Sequence, residues 1–164
     1  MNWLTGNLGF SYVGFLFLLL LFIPNIIWSR HKPTGYDSKD EPKLLSACER
    51  IGQVSVTCLA LIFTDFNLQQ WSWWSLWLLA AFILMLFYEF WWLRYFKSAK
   101  TLKDFYSSLW GIPVAGATLP VLAFLLLSIY GRVLWLLLAV IILGVGHIGV
   151  HLHQRRKLNS QGQA

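Results

Sequence analysis

The sequence has little charge. Only 12% of its 164 residues are Asp, Glu, Lys or Arg, whereas 57% are hydrophobic. A soluble domain of this length needs far more charge on its surface. Apolar runs near the roughly 20 residues that cross a bilayer recur along the chain. The composition therefore excludes a soluble globular protein and predicts a small integral membrane protein embedded in a lipid bilayer.

The sequence also has few cysteines and lacks the common catalytic signatures. Cys48 and Cys58 are its only cysteines, and their spacing along one predicted helix separates them by about 15 Å, beyond disulfide reach. No Gly-x-Ser-x-Gly element, Cys-x-x-Cys pair or phosphate-binding loop occurs. Residues 144–149, GVGHIG, match the spacing of dinucleotide-binding glycines. That motif works between a strand and a helix, so inside a hydrophobic span we interpret it as a helix-packing surface.

The basic residues are concentrated in three short segments. The net charge is +6, and eleven of the thirteen Lys and Arg residues lie in segments 30–43, 94–103 and 155–157. Positive charge between spans marks the cytoplasmic side of a membrane protein. We therefore read these segments as determinants of topology and do not expect nucleic-acid binding.

Five hydrophobic spans are predicted, at about residues 8–28, 44–64, 72–95, 110–130 and 133–153. The third has aromatic clusters at both ends, with Trp91, Trp92 and Tyr95 in the second cluster, as expected for belts at a membrane interface. The predicted fold is an all-α bundle of five transmembrane helices in one domain, residues 1–154. The N-terminus lies outside, and residues 155–164 form a basic, disordered cytoplasmic tail.

The segment 98–109, between the third and fourth spans, is amphipathic. Thr101 and Asp104 have the spacing of a capping box, in which a hydroxyl and a carboxylate three residues apart cap a helix start. The segment is either a short helix on the cytoplasmic surface or an extension of the fourth span. The sequence does not decide between these alternatives.

Polar side chains collect at one depth near the predicted cytoplasmic boundary. Ionisable groups are costly inside a membrane and are commonly functional there. His147 and His151 are four residues apart and share a helix face, so both can reach one ion or proton. The candidate ligand- or proton-binding residues are Asn25, Glu49, Arg50, Gln53, Glu89, His147 and His151.

Three functions compete for this polar layer. The first, which we favour, is a titratable site that binds or transports a small molecule, an ion or a lipid. The second is a membrane enzyme acting on a lipid-type substrate, in which His147, His151 and Glu89 hold a divalent metal. The third is a non-catalytic accessory or immunity-like protein in which the polar groups only fix helix packing, with Arg50 pairing with Glu89. The absence of a complete catalytic set argues against an enzyme.

The stretches ERIGQV, YEFWWLRYF, DFYSSLWGIPVAGATLP and GVGHIGVH resemble a group of small bacterial multispanning membrane proteins of unassigned function. The resemblance runs from about residue 22 to the last histidines, and it implies a bacterial cytoplasmic membrane but no particular activity. A bundle this small is hard to build around a wide pathway. If the protein is a transporter or channel, we expect a homodimer packed through the small residues of 111–120 or 144–149.

Overall fold

The computed structural model describes residues 5–37, 41–160 and 162. These residues are organised by helices, with no strand among them, which confirms the all-α class. One 3-10 turn, Thr64–Phe66, follows the second helix. The helices are α1 Tyr12–Ser29, α2 Lys43–Ile62, α3 Ser75–Lys97, α4 Leu102–Phe105, α5 Ala115–Gly131 and α6 Leu134–Ser160.

Four of these helices, α1, α2, α3 and α6, are long and apolar enough to cross a membrane, and α5 is a shorter apolar helix of 17 residues. The predicted fourth span began at Trp110, but α5 begins five residues later, at Ala115. The reason is local: Trp110, Gly111 and Val114 have φ values of 48°, 84° and 41°. These left-handed conformations cannot continue a right-handed helix.

The central helix of the bundle is α5. More than half of its residues are buried, and it packs against both α3 and α6, while α2 packs mainly along α6. The α1 helix makes fewer contacts with the others. Two tightly packed pairs, α2 with α6 and α3 with α5, therefore form the bundle, and α1 closes it less completely.

The segments that carry most of the basic residues meet at one end of the bundle, which we call the basic end. It comprises residues 30–37, 41–43, 94–103 and 155–157. The Gln154 side chain donates a hydrogen bond to the Asp37 carbonyl, and Arg155 donates to the Ser108 hydroxyl. At the opposite end, the Trp74 indole donates to the Tyr130 carbonyl. Arg94 also donates to the Ser108 carbonyl, so Arg94 and Arg155, from two of the basic segments, share one partner residue.

The predicted disorder after residue 154 is wrong as far as Ser160, because α6 continues to that residue. Gln154 and Leu158, one turn apart, are both buried there. Gln154 is also tied to the segment that follows α1. Packing of this face explains why a basic stretch remains helical.

The predicted capping box is confirmed at the start of α4. Thr101 Oγ1 accepts a hydrogen bond from the Asp104 backbone N–H, and the Asp104 carboxylate accepts from the Thr101 backbone N–H. The α4 helix is a separate single turn, which rules out an extension of the fourth span. Its Phe105 is only 6% exposed. The segment therefore anchors itself in the bundle through one aromatic side chain.

This cap predicts a pH-dependent contribution to stability. The hydrogen bond from the Thr101 backbone N–H is the main reason why the pKa of Asp104 is lowered. A lowered pKa stabilises the fold above the unfolded-state pKa of about 3.9 and loses that effect as the pH falls through the folded-state value. We expect Asp104→Asn to reduce the free energy of unfolding at pH 7 by less than about 1 kcal/mol. Denaturant titrations should show that the difference in the free energy of unfolding between wild type and Asp104→Asn shrinks below about pH 4. A difference that did not depend on pH would contradict a stabilising role for the Asp104 carboxylate.

Glycines on α6 serve close packing, as interpreted for residues 144–149. A Cβ atom on Gly146 would lie 2.2 Å from the Glu49 backbone nitrogen, and one on Gly149 would lie 3.1 Å from Leu45 side-chain atoms. Gly116, in the other predicted dimer surface, faces the Trp91 ring. These small residues pack within one chain. The homodimer stays a prediction. Because these glycines already pack within one chain, a second copy would have to contact surfaces beside them.

Candidate functional site

A cavity of about 310 Å³ lies in the half of the bundle nearest the basic end. Every long helix contributes to it, together with Tyr36, from the segment after α1, and Phe105 of α4. The residues from the long helices are Leu21, Phe22, Asn25, Trp28, Glu49, Gln53, Val56, Thr57, Tyr88, Trp91, Trp92, Gly116, Pro120, Val121, Phe124, Leu143, His147 and His151.

Five of the seven candidate residues line this cavity: Asn25, Glu49, Gln53, His147 and His151. They come from three helices that are distant in sequence. Their shared depth was the basis of the sequence prediction. The structure adds that they surround one space.

The Glu49 carboxylate and the His147 imidazole form the centre of the polar wall. His147 Nδ1 lies 2.7 Å from Glu49 Oε1, and the Gln53 side chain donates to the same oxygen at 3.3 Å. Gly146 brings the α6 backbone directly against Glu49. Because a side chain at Gly146 would separate the helices, this glycine sets the distance between the carboxylate and the imidazole.

His151 extends the polar wall towards the basic end. Its ring centroid lies 4.6 Å from that of His147 and 5.5 Å from those of Phe105 and Tyr106. The predicted common face of the two histidines is therefore confirmed.

Asn25 supports the cavity on the α1 side. Its Nδ2 donates 2.7 Å hydrogen bonds to the Leu21 carbonyl and to the Tyr88 hydroxyl. Pro24 lies inside α1 and supplies no N–H to the helix. Next to this interruption, the Asn25 amide links α1 to α3 through the Tyr88 hydroxyl.

Glu89 and Arg50 do not belong to the site. Glu89 is absent from the cavity lining, and its Oε1 is buried with no hydrogen-bond partner among the described residues. Arg50 is exposed, and no ion pair joins it to Glu89 among the described residues. Arg50 lies next to Glu49 in sequence, but adjacent helical residues point about 100° apart.

The predicted metal set of His147, His151 and Glu89 is not assembled. Within residues 5–37, 41–160 and 162, no group of three His, Cys, Asp or Glu side chains is placed to hold a metal ion. Glu49, rather than Glu89, is the carboxylate beside the histidines. The geometry favours a hydrogen-bonded acid–imidazole pair at this position.

The aromatic walls of the cavity were missed. Trp91, Trp92 and Tyr95 were predicted as an interfacial belt, but each is at most 3% exposed. Trp91 and Trp92 line the cavity, as do Trp28, Tyr36 and Tyr88. Tyr88, Trp92 and Tyr95 are spaced i, i+4, i+7 and so share one face of α3, which was the available signal that they point inwards.

Tyr36 lies at the basic end of the cavity and remains neutral. Its burial, together with the nearby carboxylates of Glu41 and Glu49, raises the pKa of Tyr36 to about 12. Its ring packs edge-on against Trp28, and the Lys32 ammonium lies 5.6 Å from the centroids of both rings. The rim of the cavity at the basic end therefore combines the Tyr36 phenol, the Trp28 indole and the Lys32 ammonium.

Comparisons with protein-family models, with curated proteins and with solved structures found no match to this chain. The site must therefore be interpreted from its own geometry.

Proposed function

We propose that this chain is a multi-pass protein of a bacterial cytoplasmic membrane that binds, and transports, a small-molecule or lipid-type ligand in the cavity beside Glu49 and His147. The proposal includes five membrane crossings, with the N-terminus outside and the basic end in the cytoplasm. The observation that carries it is the convergence of Asn25, Glu49, Gln53, His147 and His151 on one cavity.

The topology is supported by two features. The basic segments are brought together at one end of the bundle, as the positive-inside tendency requires. The short helix α5 has 17 residues, which is at the lower limit of about 17 to 25 residues for a span. An odd number of crossings then places the two termini on opposite sides.

A ligand is supported by the mixed character of the cavity wall. The Glu49–His147 pair and the side-chain amides of Asn25 and Gln53 share the lining with many apolar and aromatic side chains. Ligand pockets in proteins typically combine a few polar groups with such an apolar wall.

We expect saturable binding at this cavity by at least one of three amphiphiles with the same chain, decylammonium, decanol and decanoate. The test is equilibrium dialysis of radiolabelled ligand against protein in phosphatidylcholine nanodiscs, with empty nanodiscs subtracted. Val121→Phe should fill the cavity and weaken binding at least tenfold, because Val121 lines it.

Val145→Phe is the matched control, since Val145 is 57% exposed on α6 and does not line the cavity. It should bind like the wild type. No saturable binding of any of the three, or equal losses in both variants, would refute the proposed function.

A further inference from the structure

The cavity has one polar end and one apolar end. Successive turns of α6 contribute His151, His147 and Leu143 to its lining. The first and last of these residues are about 12 Å apart along the helix axis. On α2, Glu49 is nearest the basic end and Val56 lies two turns deeper. Phe124 of α5 also lies at the deeper end. A ligand that fills this space must have a polar group at one end and an apolar chain at the other.

Exposed side chains of α1 and α2 border the cavity, and we take the gap between them as its opening. At the far end, the two helices touch so closely that a Cβ atom on Gly14 would overlap the Ala60 carbonyl oxygen. Nearer the basic end, the cavity lies between them, lined by Phe22, which is 41% exposed, and by the exposed Gln53. An amphiphile in the adjacent leaflet can reach the cavity through this opening.

The polar wall presents hydrogen-bond acceptors. Glu49 Oε1 accepts from His147 and Gln53, whereas no described residue donates to Glu49 Oε2. When His147 donates through Nδ1, its neutral ring leaves Nε2 as an acceptor. An ammonium group carries three donors and a positive charge, and so suits both free acceptors.

The charge of the lining disfavours an anionic head group beside Glu49, and the Lys32 ammonium lies outside the lining, over the rings of Trp28 and Tyr36. Glu49 is the one carboxylate among the described residues that line the cavity, and none of them is Lys or Arg. A carboxylate or phosphate placed beside Glu49 would meet like charge in a poorly solvated site.

We infer that the cavity binds the protonated primary amine of an amphiphile, with the ammonium on Glu49 and the alkyl chain towards Leu143, entering from the bilayer between α1 and α2. This inference rests on the proposed function, because it names the ligand class of the same cavity. The source of the amine is either a membrane aminolipid or a free long-chain amine.

The test compares ligands that differ only in the head group, in the dialysis assay in phosphatidylcholine nanodiscs described above. Decylammonium should bind at least tenfold more tightly than decanol or decanoate. It should also bind more tightly than decyltrimethylammonium, which has a charge but no N–H donor. Glu49→Gln should weaken decylammonium binding about tenfold to a hundredfold, the range for a hydrogen bond to a charged group, and should weaken decanol binding less, because the hydroxyl is uncharged.

Glu89→Gln is the control, because it removes a carboxylate that does not line the cavity; decylammonium affinity should be unchanged. Thermal melting of each variant checks that it is folded. Decanol or decanoate binding as tightly as the amine, or a Glu49→Gln variant with wild-type affinity, would overturn this inference and leave the proposed function standing. If none of the ligands bound saturably, both this inference and the proposed function would be overturned.

The source of the amine is separated by adding phosphatidylethanolamine to the nanodiscs. If decylammonium affinity falls in proportion to this lipid, the amine comes from a membrane aminolipid. If the affinity is unchanged, the amine is a free amphiphile. A loss of decylammonium binding caused equally by phosphatidylglycerol, which has no amine, would overturn the inference.

Discussion

Gly146→Ala is expected to destabilise the protein by about 3 kcal/mol, although alanine is the better helix former. The added Cβ atom would meet the Glu49 nitrogen at 2.2 Å and the Leu45 carbonyl oxygen at 2.7 Å. Both are backbone atoms, so no rotamer change relieves the overlap and α2 must move away from α6. Since Glu49 and His147 lie on these two helices, their 2.7 Å contact should lengthen and ligand binding should fall as well.

Gly144→Ala is the matched control on the same helix. Its Cβ atom would lie 3.1 Å from a methyl group of Val121, which can shift slightly, so the change in stability should stay within about 1 kcal/mol. The free energy of unfolding from denaturant titration in mixed micelles measures both. Equal effects of the two substitutions would show that helix propensity, and not the packing of α2 on α6, decides the result.

Helix periodicity and depth were sufficient to predict the polar part of the site. His147 and His151 share a face because they are four residues apart, and Glu49 and Gln53 share one for the same reason. Each pair lies near the basic end of its helix. In a bundle this small, side chains at one depth have few possible neighbours, so these four residues, together with Asn25, line one cavity.

Glu89 shows where that reasoning fails. It lies at the same depth as the other candidates, but on a side of α3 outside the cavity. The rotation of a helix about its axis is set by its neighbours, and α3 is apolar on all sides, so its sequence contains little information about which face is inward. The buried positions of Trp91 and Trp92 were missed for the same reason. The late start of α5 depends on backbone conformations at 110–114 that composition does not reveal.

Phe105→Ala is expected to have the second large effect, a loss of about 3 to 5 kcal/mol. Phe105 stacks on Trp28 with ring centroids 4.7 Å apart and also contacts Tyr36, Trp91, Trp92, Tyr95, Tyr106 and His151. Its removal leaves a cavity among rings that come from three helices and two connecting segments. No other side chain of α4 can fill this space, because Phe105 is the buried residue of that helix.

The same substitution should also loosen the polar end of the ligand cavity, since Phe105 lines it and touches His151. Unfolding in mixed micelles measures the loss, and the near-ultraviolet circular dichroism of the Trp28 stack reports the local change. Phe15→Ala is the control, because Phe15 is 45% exposed on α1 and should cost less than about 1 kcal/mol. Phe105→Leu should recover more than half of the lost stability, because it refills most of the space. If Phe105→Ala behaved like Phe15→Ala, α4 would not anchor the basic end, and the cavity would depend on the long helices alone.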